Sequence, residues 1–200
     1  MLTCGAEDVK VNILSLKGTL LQAIHTNQLR NNCARFNSTG ELVAVAARTN
    51  EVKVWKVQED RKGEFVALEK KMQATVQGHT RAVTDLAFNG ATELVTCSLD
   101  GTWKRWNVDV RYEHGEDPHC IKTGTVEGFD SFSMLALSGG KYVALALGRD
   151  VAVCTLADTQ CVHVIRDAHD GEITSISWDC DGEILATGSV DHLIRLWKFE

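Results

Sequence analysis

The stem Val52-Lys53-Val54-Trp55-Lys56 decides the fold, because it returns as Trp103-Lys104-Arg105-Trp106-Asn107 and Ile194-Arg195-Leu196-Trp197-Lys198, and more loosely as Val9-Lys10-Val11-Asn12-Ile13 and Val151-Ala152-Val153-Cys154-Thr155. The fourth residue of each stem falls at position 12, 55, 106, 154 or 197, so successive stems lie 43, 51, 48 and 43 residues apart. A second landmark keeps step: Phe36, Phe88, Leu137 and Trp178 precede the fourth residue of their stems by 19, 18, 17 and 19 positions. Each closes an alternating run such as Thr84-Asp85-Leu86-Ala87-Phe88. Each is followed by turn residues, Asn37-Ser38-Thr39-Gly40, Asn89-Gly90, Ser138-Gly139-Gly140 and Asp179-Cys180-Asp181-Gly182. Alternation followed by such residues spells a hairpin, since a strand turns successive side chains to opposite faces and the reversal needs residues that tolerate positive φ. Mostly apolar runs follow the turns at 42–46, 93–97, 142–146 and 184–187, which makes three antiparallel strands per repeat.

A fourth strand is expected beyond each stem, at 19–24, 65–76, 121–126 and 161–165, where the weaker pattern suits an outer edge facing water. Residues 66–72 could read as a turn or two of helix, but they fall where the repeat needs its outer strand and are read as strand. Residues 9–14 read as the third strand of a unit whose first two strands are missing. A period of this length, filled with strands, describes stacked β-blades.

Composition narrows the class. Of 200 residues 44% are hydrophobic, enough for a sizeable core, and the net charge is −6. No stretch of about 18 apolar residues occurs, so no membrane-spanning helix is expected, and the first residues show no basic segment leading into an apolar run. The seven cysteines are odd in number, form no C-x-x-C pair and mostly fall inside expected strands; they read as small buried hydrophobes in a reducing compartment. The chain alone therefore reads as soluble and intracellular. Its acidic balance argues against non-specific nucleic-acid binding, leaving Arg61-Lys62 and Lys70-Lys71 as local basic patches.

Two repeats share a polar signature. Gln77-Gly78-His79 precedes Thr96, Asp100 and Trp106; Ala168-His169 precedes Thr187, Asp191 and Trp197. In both, Thr precedes Asp by four residues and Asp precedes Trp by six. Each set resembles the structural tetrad of the WD40-repeat family: His in the loop entering a blade, Thr on the second strand, Asp in the next turn, Trp on the third strand. The residue types suit a directed relay, because an indole N–H only donates, a hydroxyl does both, an imidazole passes the chain on and a carboxylate only accepts. A Thr-His-Asp nucleophilic triad is the competing reading. It needs an exposed hydroxyl beside an oxyanion site and a base free to serve a substrate, and it does not explain why the set occurs twice. The second repeat, with Thr49 and Val45 at the Asp and Thr positions, and the fourth, with Cys154 in place of Trp, are expected to rely on apolar packing alone. For the second, His25-Thr26 is the expected loop element.

Beyond the repeat, the segments Leu16-Lys17-Gly18, His25-Thr26-Asn27-Gln28, Val52–Val57, Lys62-Gly63-Glu64-Phe65, Asp100–Lys104, Asp109-Val110-Arg111-Tyr112 and Asp117-Pro118 resemble, in order, the transducin beta-like branch of the WD40 family. The resemblance implies an all-β WD40 β-propeller, here about four four-stranded blades plus the end of another, an incomplete seven-bladed ring. The expected divisions are 1–18 as the end of a partial repeat, then repeats at 19–57, 58–108 (with an insertion), 109–156 (degenerate, with a loop insertion) and 157–200. A seven-bladed ring at 40 to 45 residues per blade needs about 300 residues, so the expectation lies between a fragment, an incomplete gene model and a small ring of four blades; the reading of 9–14 as a third strand favours a fragment, which should expose an apolar blade face. What the family adds is an N-terminal membrane anchor that this chain lacks, a place on the cytosolic face of the endoplasmic reticulum, and engagement of a stress kinase in the unfolded-protein response.

Other chemistry finds little support. His114, His119 and Cys120 fit no closed four-ligand zinc site; Asp179–Glu183 resembles the opening of a calcium loop, but its glycine comes too early and no glutamate closes it; no phosphate-binding glycine loop occurs. No cofactor and no metal are expected. Function then rests on surfaces. Because each His must reach its Asp, the His loops and Asp turns share one side, and Thr80, Arg81, Leu99, Asp170, Glu172 and Val190 are expected to line that rim as a protein-docking surface. RNA binding is the alternative from another class. It would need gathered cations, whereas Arg48, Arg81, Arg149 and Arg195 are scattered through different repeats.

Overall fold

The structure, a computed structural model, describes residues 1–4, 9–61 and 65–199. Lys62 and the side chains of Cys4, Lys70 and Lys71 lie outside the described residues. The chain forms five antiparallel sheets in sequence order. The first holds β1 (Leu2–Cys4), β2 (Lys10–Leu14) and β3 (Leu20–His25); the second β4 (Asn31–Phe36), β5 (Leu42–Ala47), β6 (Glu51–Glu59) and β7 (Phe65–Gln77). The third holds β8 (Val83–Asn89), β9 (Glu93–Ser98), β10 (Thr102–Asn107) and β11 (His119–Thr125); the fourth β12 (Met134–Ser138), β13 (Tyr142–Leu147), β14 (Asp150–Thr155) and β15 (Cys161–Ile165). The fifth holds β16 (Ile173–Trp178), β17 (Ile184–Ser189) and β18 (Ile194–Lys198). A single 3-10 turn at Tyr112–His114 is the one helical element among the described residues. This is part of a WD40 β-propeller.

Why the second strand of a blade is apolar throughout follows from the stacking. In β5, Val43 and Val45 pack with Val11, Ile13 and Trp55 towards the first blade, while Ala44 and Ala46 pack with Val54, Leu86 and Trp106 towards the third. Both faces of the strand are interior, so the period-two alternation that would mark a half-wet strand disappears. β13 repeats the device: Val143 and Leu145 face Trp103 and Cys154, whereas Ala144 and Ala146 face Ile173 and Leu185. One cluster fills each junction between neighbouring blades, which is how a repeat array is held together.

Three expectations need correcting. The first blade is not reduced to its last two strands, because Leu2–Cys4 pairs antiparallel with Lys10–Leu14 in the register Leu2↔Ile13 and Cys4↔Val11. Three residues are too few to show a period, so no sequence pattern announces that strand. The cysteines are not uniformly interior: Cys33, Cys97 and Cys154 are buried, but Cys120, Cys161 and Cys180 are exposed, two of them on outer strands and one in a hairpin turn. Nor do the second and fourth blades lack polar ties, as described below.

The long edge strand β7 is guarded on two sides. From β3, the Gln22 amide accepts from Leu68 N–H (2.8 Å) and donates to Leu68 C=O (3.2 Å), copying a strand's pairing at the point where the β6–β7 register is irregular. From the insertion before β11, the Asp117 carboxylate accepts from Thr75 N–H at 2.9 Å. Tyr112 anchors that insertion, buried to 4% exposure with its hydroxyl donating to Val108 C=O. A free strand edge invites pairing with another chain, and covering it removes the hazard.

Candidate functional site

One end of the blades gathers the His loops and the turns between second and third strands. In the third blade Trp106 Nε1–H donates to Thr96 Oγ1 at 2.8 Å, Thr96 Oγ1 lies 2.8 Å from His79 Nε2, and His79 Nδ1 lies 3.0 Å from Asp100 Oδ2. In the fifth the corresponding distances are 3.0 Å from Trp197 to Thr187, 2.7 Å from Thr187 to His169 and 2.9 Å from His169 to Asp191. The indole fixes the direction: with its hydroxyl oxygen accepting from Trp, each Thr donates to His Nε2, and the proton on Nδ1 goes to Asp. Thr96 is 0% and Thr187 1% exposed. Local backbone makes room for this. Gly78 sits at φ +142°, and a Cβ there would come within 3.0 Å of the Trp106 ring, so the residue ahead of His79 has no side chain to spare.

The carboxylates finish the network. Asp100 Oδ2 also accepts Thr80 N–H at 2.9 Å, and its Oδ1 accepts Thr102 N–H at 2.9 Å and the Thr102 hydroxyl at 2.6 Å. Burial works against its ionisation, but the Thr102 and Thr80 hydrogen bonds and the neighbouring His79 prevail and hold the carboxyl at about 2. His79 is also lowered from its ordinary value, but by burial, which Asp100 opposes only in part. Asp191 accepts Leu193 N–H and Asp170 N–H, and these bonds with His169 outweigh desolvation to hold it at about 2. Leu193 stands where Thr102 stands in the third blade, so the fifth blade's carboxylate has no hydroxyl partner of that kind.

The other two blades close their loops by different polar means. In the second, Gln28 Nε2–H donates to Thr49 Oγ1 at 3.2 Å and to Glu51 C=O at 3.1 Å, while the buried Thr26 hydroxyl donates to Asn31 Oδ1 at 3.0 Å. Gln28 thus occupies the loop role, and His25 points outward, exposed. In the fourth, Arg166 pairs with Asp150 at 2.7 Å and lies 4.7 Å over the Phe129 ring. The apolar-packing expectation overlooked both because neither uses imidazole or indole.

The six rim residues fall into two groups. Arg81 donates to Leu99 C=O at 2.8 Å, beside Thr80. Val190 N–H donates to Glu172 C=O at 3.0 Å, and Asp170 lies 3.8 Å from Arg195. The first group is basic and the second acidic. Next to Leu99 opens a cavity of ≈ 700 Å³ in which Arg30 and Arg48 meet. The sequence reading missed Arg30 and treated Arg48 as isolated. Aligning the repeats was the available signal: Asn32, Thr84 and Ser133 each precede their landmark Phe36, Phe88 or Leu137 by four residues, and all three line this cavity.

Comparison with known proteins agrees with the fold. The family described as "WD domain, G-beta repeat" matches residues 70–107 and 159–198. Transducin beta-like protein 2 of Homo sapiens is 35% identical over 197 residues, 96% of this chain and 43% of the relative. The Mus musculus protein of that name is 32% identical over 196 residues, 96% of this chain and 44% of the relative. U3 small nucleolar RNA-associated protein 12 of Saccharomyces cerevisiae is 28% identical over 126 residues, 62% of this chain and 12% of the relative. The chain thus spans less than half the length of each. By its repeats, its blades and these likenesses, the chain belongs to the WD40-repeat family.

Proposed function

We propose that this chain is a non-catalytic scaffold that docks protein partners on the rim formed by the His loops and Asp turns, with Thr80, Arg81, Leu99, Asp170, Glu172 and Val190 among its contacts. One observation carries the reading: among the described residues, the two Thr-His-Asp constellations are spent internally. Each threonine oxygen is buried and engaged by both an indole and an imidazole, so it has no route to a substrate carbonyl. The side chains around them face solvent, and exposed loop residues set on a rigid frame are what a docking surface requires. His79, Thr96, Asp100 and Trp106, with His169, Thr187, Asp191 and Trp197, are that frame. The likeness to transducin beta-like protein 2 adds the finer proposal, an adaptor at the cytosolic face of the endoplasmic reticulum that engages a stress kinase of the unfolded-protein response. No helix among the described residues is long and apolar enough to cross a membrane, so the proposal places such an association in the longer protein. Titrating the full-length protein with the purified cytosolic domain of such a kinase tests it. Saturable binding that weakens in Arg81→Glu and Glu172→Lys supports the reading, and equal binding by wild type and both variants removes the rim from it.

RNA binding is the second reading, favoured by the meeting of Arg30 and Arg48 and by likeness to a protein named for association with a small nucleolar RNA. The cavity has no aromatic side chain in its lining, whereas single strands are gripped largely by stacking. Protein docking is therefore preferred.

A further inference from the structure

Among the described residues, two guanidiniums without a carboxylate partner stand together at the cavity mouth. In a chain of net charge −6, Arg105, Arg111, Arg149, Arg166 and Arg195 each lie within 4.0 Å of a carboxylate of the chain itself. Arg35 and Arg81 have no such carboxylate but donate to the backbone carbonyls of Ala34 and Leu99, whereas Arg30 and Arg48 do neither. Both are exposed, their backbones are joined by Arg48 N–H donating to Arg30 C=O at 2.9 Å, and among the described residues neither guanidinium has an ion pair or a hydrogen-bond acceptor. No Asp or Glu lines the cavity they enter. The other polar side chains of its wall each place a donor on a backbone carbonyl: Asn31 on Lys10 C=O at 3.3 Å, Asn32 on Val83 C=O at 2.7 Å, Thr84 on Phe132 C=O at 2.8 Å and Ser133 on Ala146 C=O at 2.9 Å. The wall is thus held in place, and the two guanidiniums are its uncommitted cationic donors. A guanidinium presents a planar fork that matches a carboxylate with two parallel bonds, the pairing this molecule makes at Arg105 and Glu93.

We propose that this cavity is a docking pocket for an acidic peptide segment of a partner protein, Arg30 and Arg48 each taking one side-chain carboxylate and Leu99 and Ala82 packing against the peptide's apolar atoms. The proposal rests on the scaffold reading above and names the chemistry of the partner at that rim. Fluorescence anisotropy of the intact chain with a fluorescein-labelled peptide of alternating Glu, Leu and Asp tests it against an isosteric peptide of Gln, Leu and Asn. The acidic peptide should bind, more weakly as salt is added. The amide peptide should not. Arg30→Gln with Arg48→Gln should weaken binding by about tenfold or more, while Arg111→Gln, at an exposed ion pair elsewhere, leaves it unchanged. Because both cavity side chains are exposed, an unaltered melting curve for the double variant shows that the fold is intact; Leu99→Glu, which sets a competing carboxylate at the mouth, gives an independent second loss. Equal binding of the two peptides, an unaffected double variant, binding seen only when the acidic residues are replaced by phosphoserine, or displacement of the peptide by single-stranded RNA overturns the proposal. Failure here with kinase-domain binding retained overturns the acidic pocket alone and leaves the scaffold standing.

Discussion

At the scale of single residues, Thr96 is the most exposed to test because it serves two partners at once. Thr96→Val keeps the shape and removes the oxygen, which leaves the Trp106 N–H and one His79 nitrogen buried without partners. Unsatisfied groups of this kind cost about 1–3 kcal/mol each, so urea unfolding should show a drop of that order, and Thr96→Ser should recover most of it. Protonation probes the same chain from the other end. His79 has its folded value lowered from 6.5, so the unfolded chain binds the proton more readily, and its contribution is full above pH 6.5 and falls away as pH drops below it. Asp100, held at about 2 against an ordinary 3.8, contributes above 3.8 and loses its share as pH falls from 3.8 towards 2. Melting temperatures should therefore decline from pH 7 to pH 5 and again below pH 4. In His79→Gln the first decline should be reduced, and an unchanged slope would show that the imidazole is not the titrating group.

At the scale of strands, β10 and β11 contain a fit that alternation does not reveal. Trp103, fully buried, lies directly opposite Gly124, where a Cβ would stand 2.3 Å from the indole. The glycine is the slot for the ring. Gly124→Ala should destabilise by about 1–3 kcal/mol through overpacking, and Trp103→Leu combined with it should cost less than the two single changes summed, since they share one space. The edge of β7 gives a local readout instead. Asp117→Ala frees Thr75 N–H, so hydrogen exchange at that amide should quicken while amides of β5 keep their protection. These elements also show where sequence reading reaches its limit. The stems and hairpins are legible because burial imposes a period on each strand and turns demand particular residues. Leu2–Cys4 is too short for a period. Gln28 and Thr49 lie 21 residues apart in a repeat whose imidazole and carboxylate are replaced, so only coordinates join them. Arg30 and Arg48 belong to different turns of the second repeat and become neighbours only when the strands between them pair.

At the scale of the whole molecule, stability is spread over junctions between blades, and the last blade presents the consequence. Every interior blade buries its second strand on both sides, but the fifth leaves Ile194 79%, Leu196 68% and Ile184 37% exposed. Ile194 pairs with Gly188 and Leu196 with Ala186, so the two side chains stand on alternate positions of β18 and share a face. Val162 and Val164 on β15 of the fourth blade add exposed apolar surface of the same kind. Contiguous apolar surface of this sort binds hydrophobic dyes and marks association or aggregation. Replacing Ile194 and Leu196 together by Lys should therefore lower the fluorescence of bound anilinonaphthalene sulfonate at unchanged melting temperature, since neither side chain contributes to the Ile173–Leu185 cluster that joins the fourth and fifth blades. A fall in melting temperature equal to that of a core substitution would instead show that these residues hold the blade together, and the independence of the junctions would have to be given up.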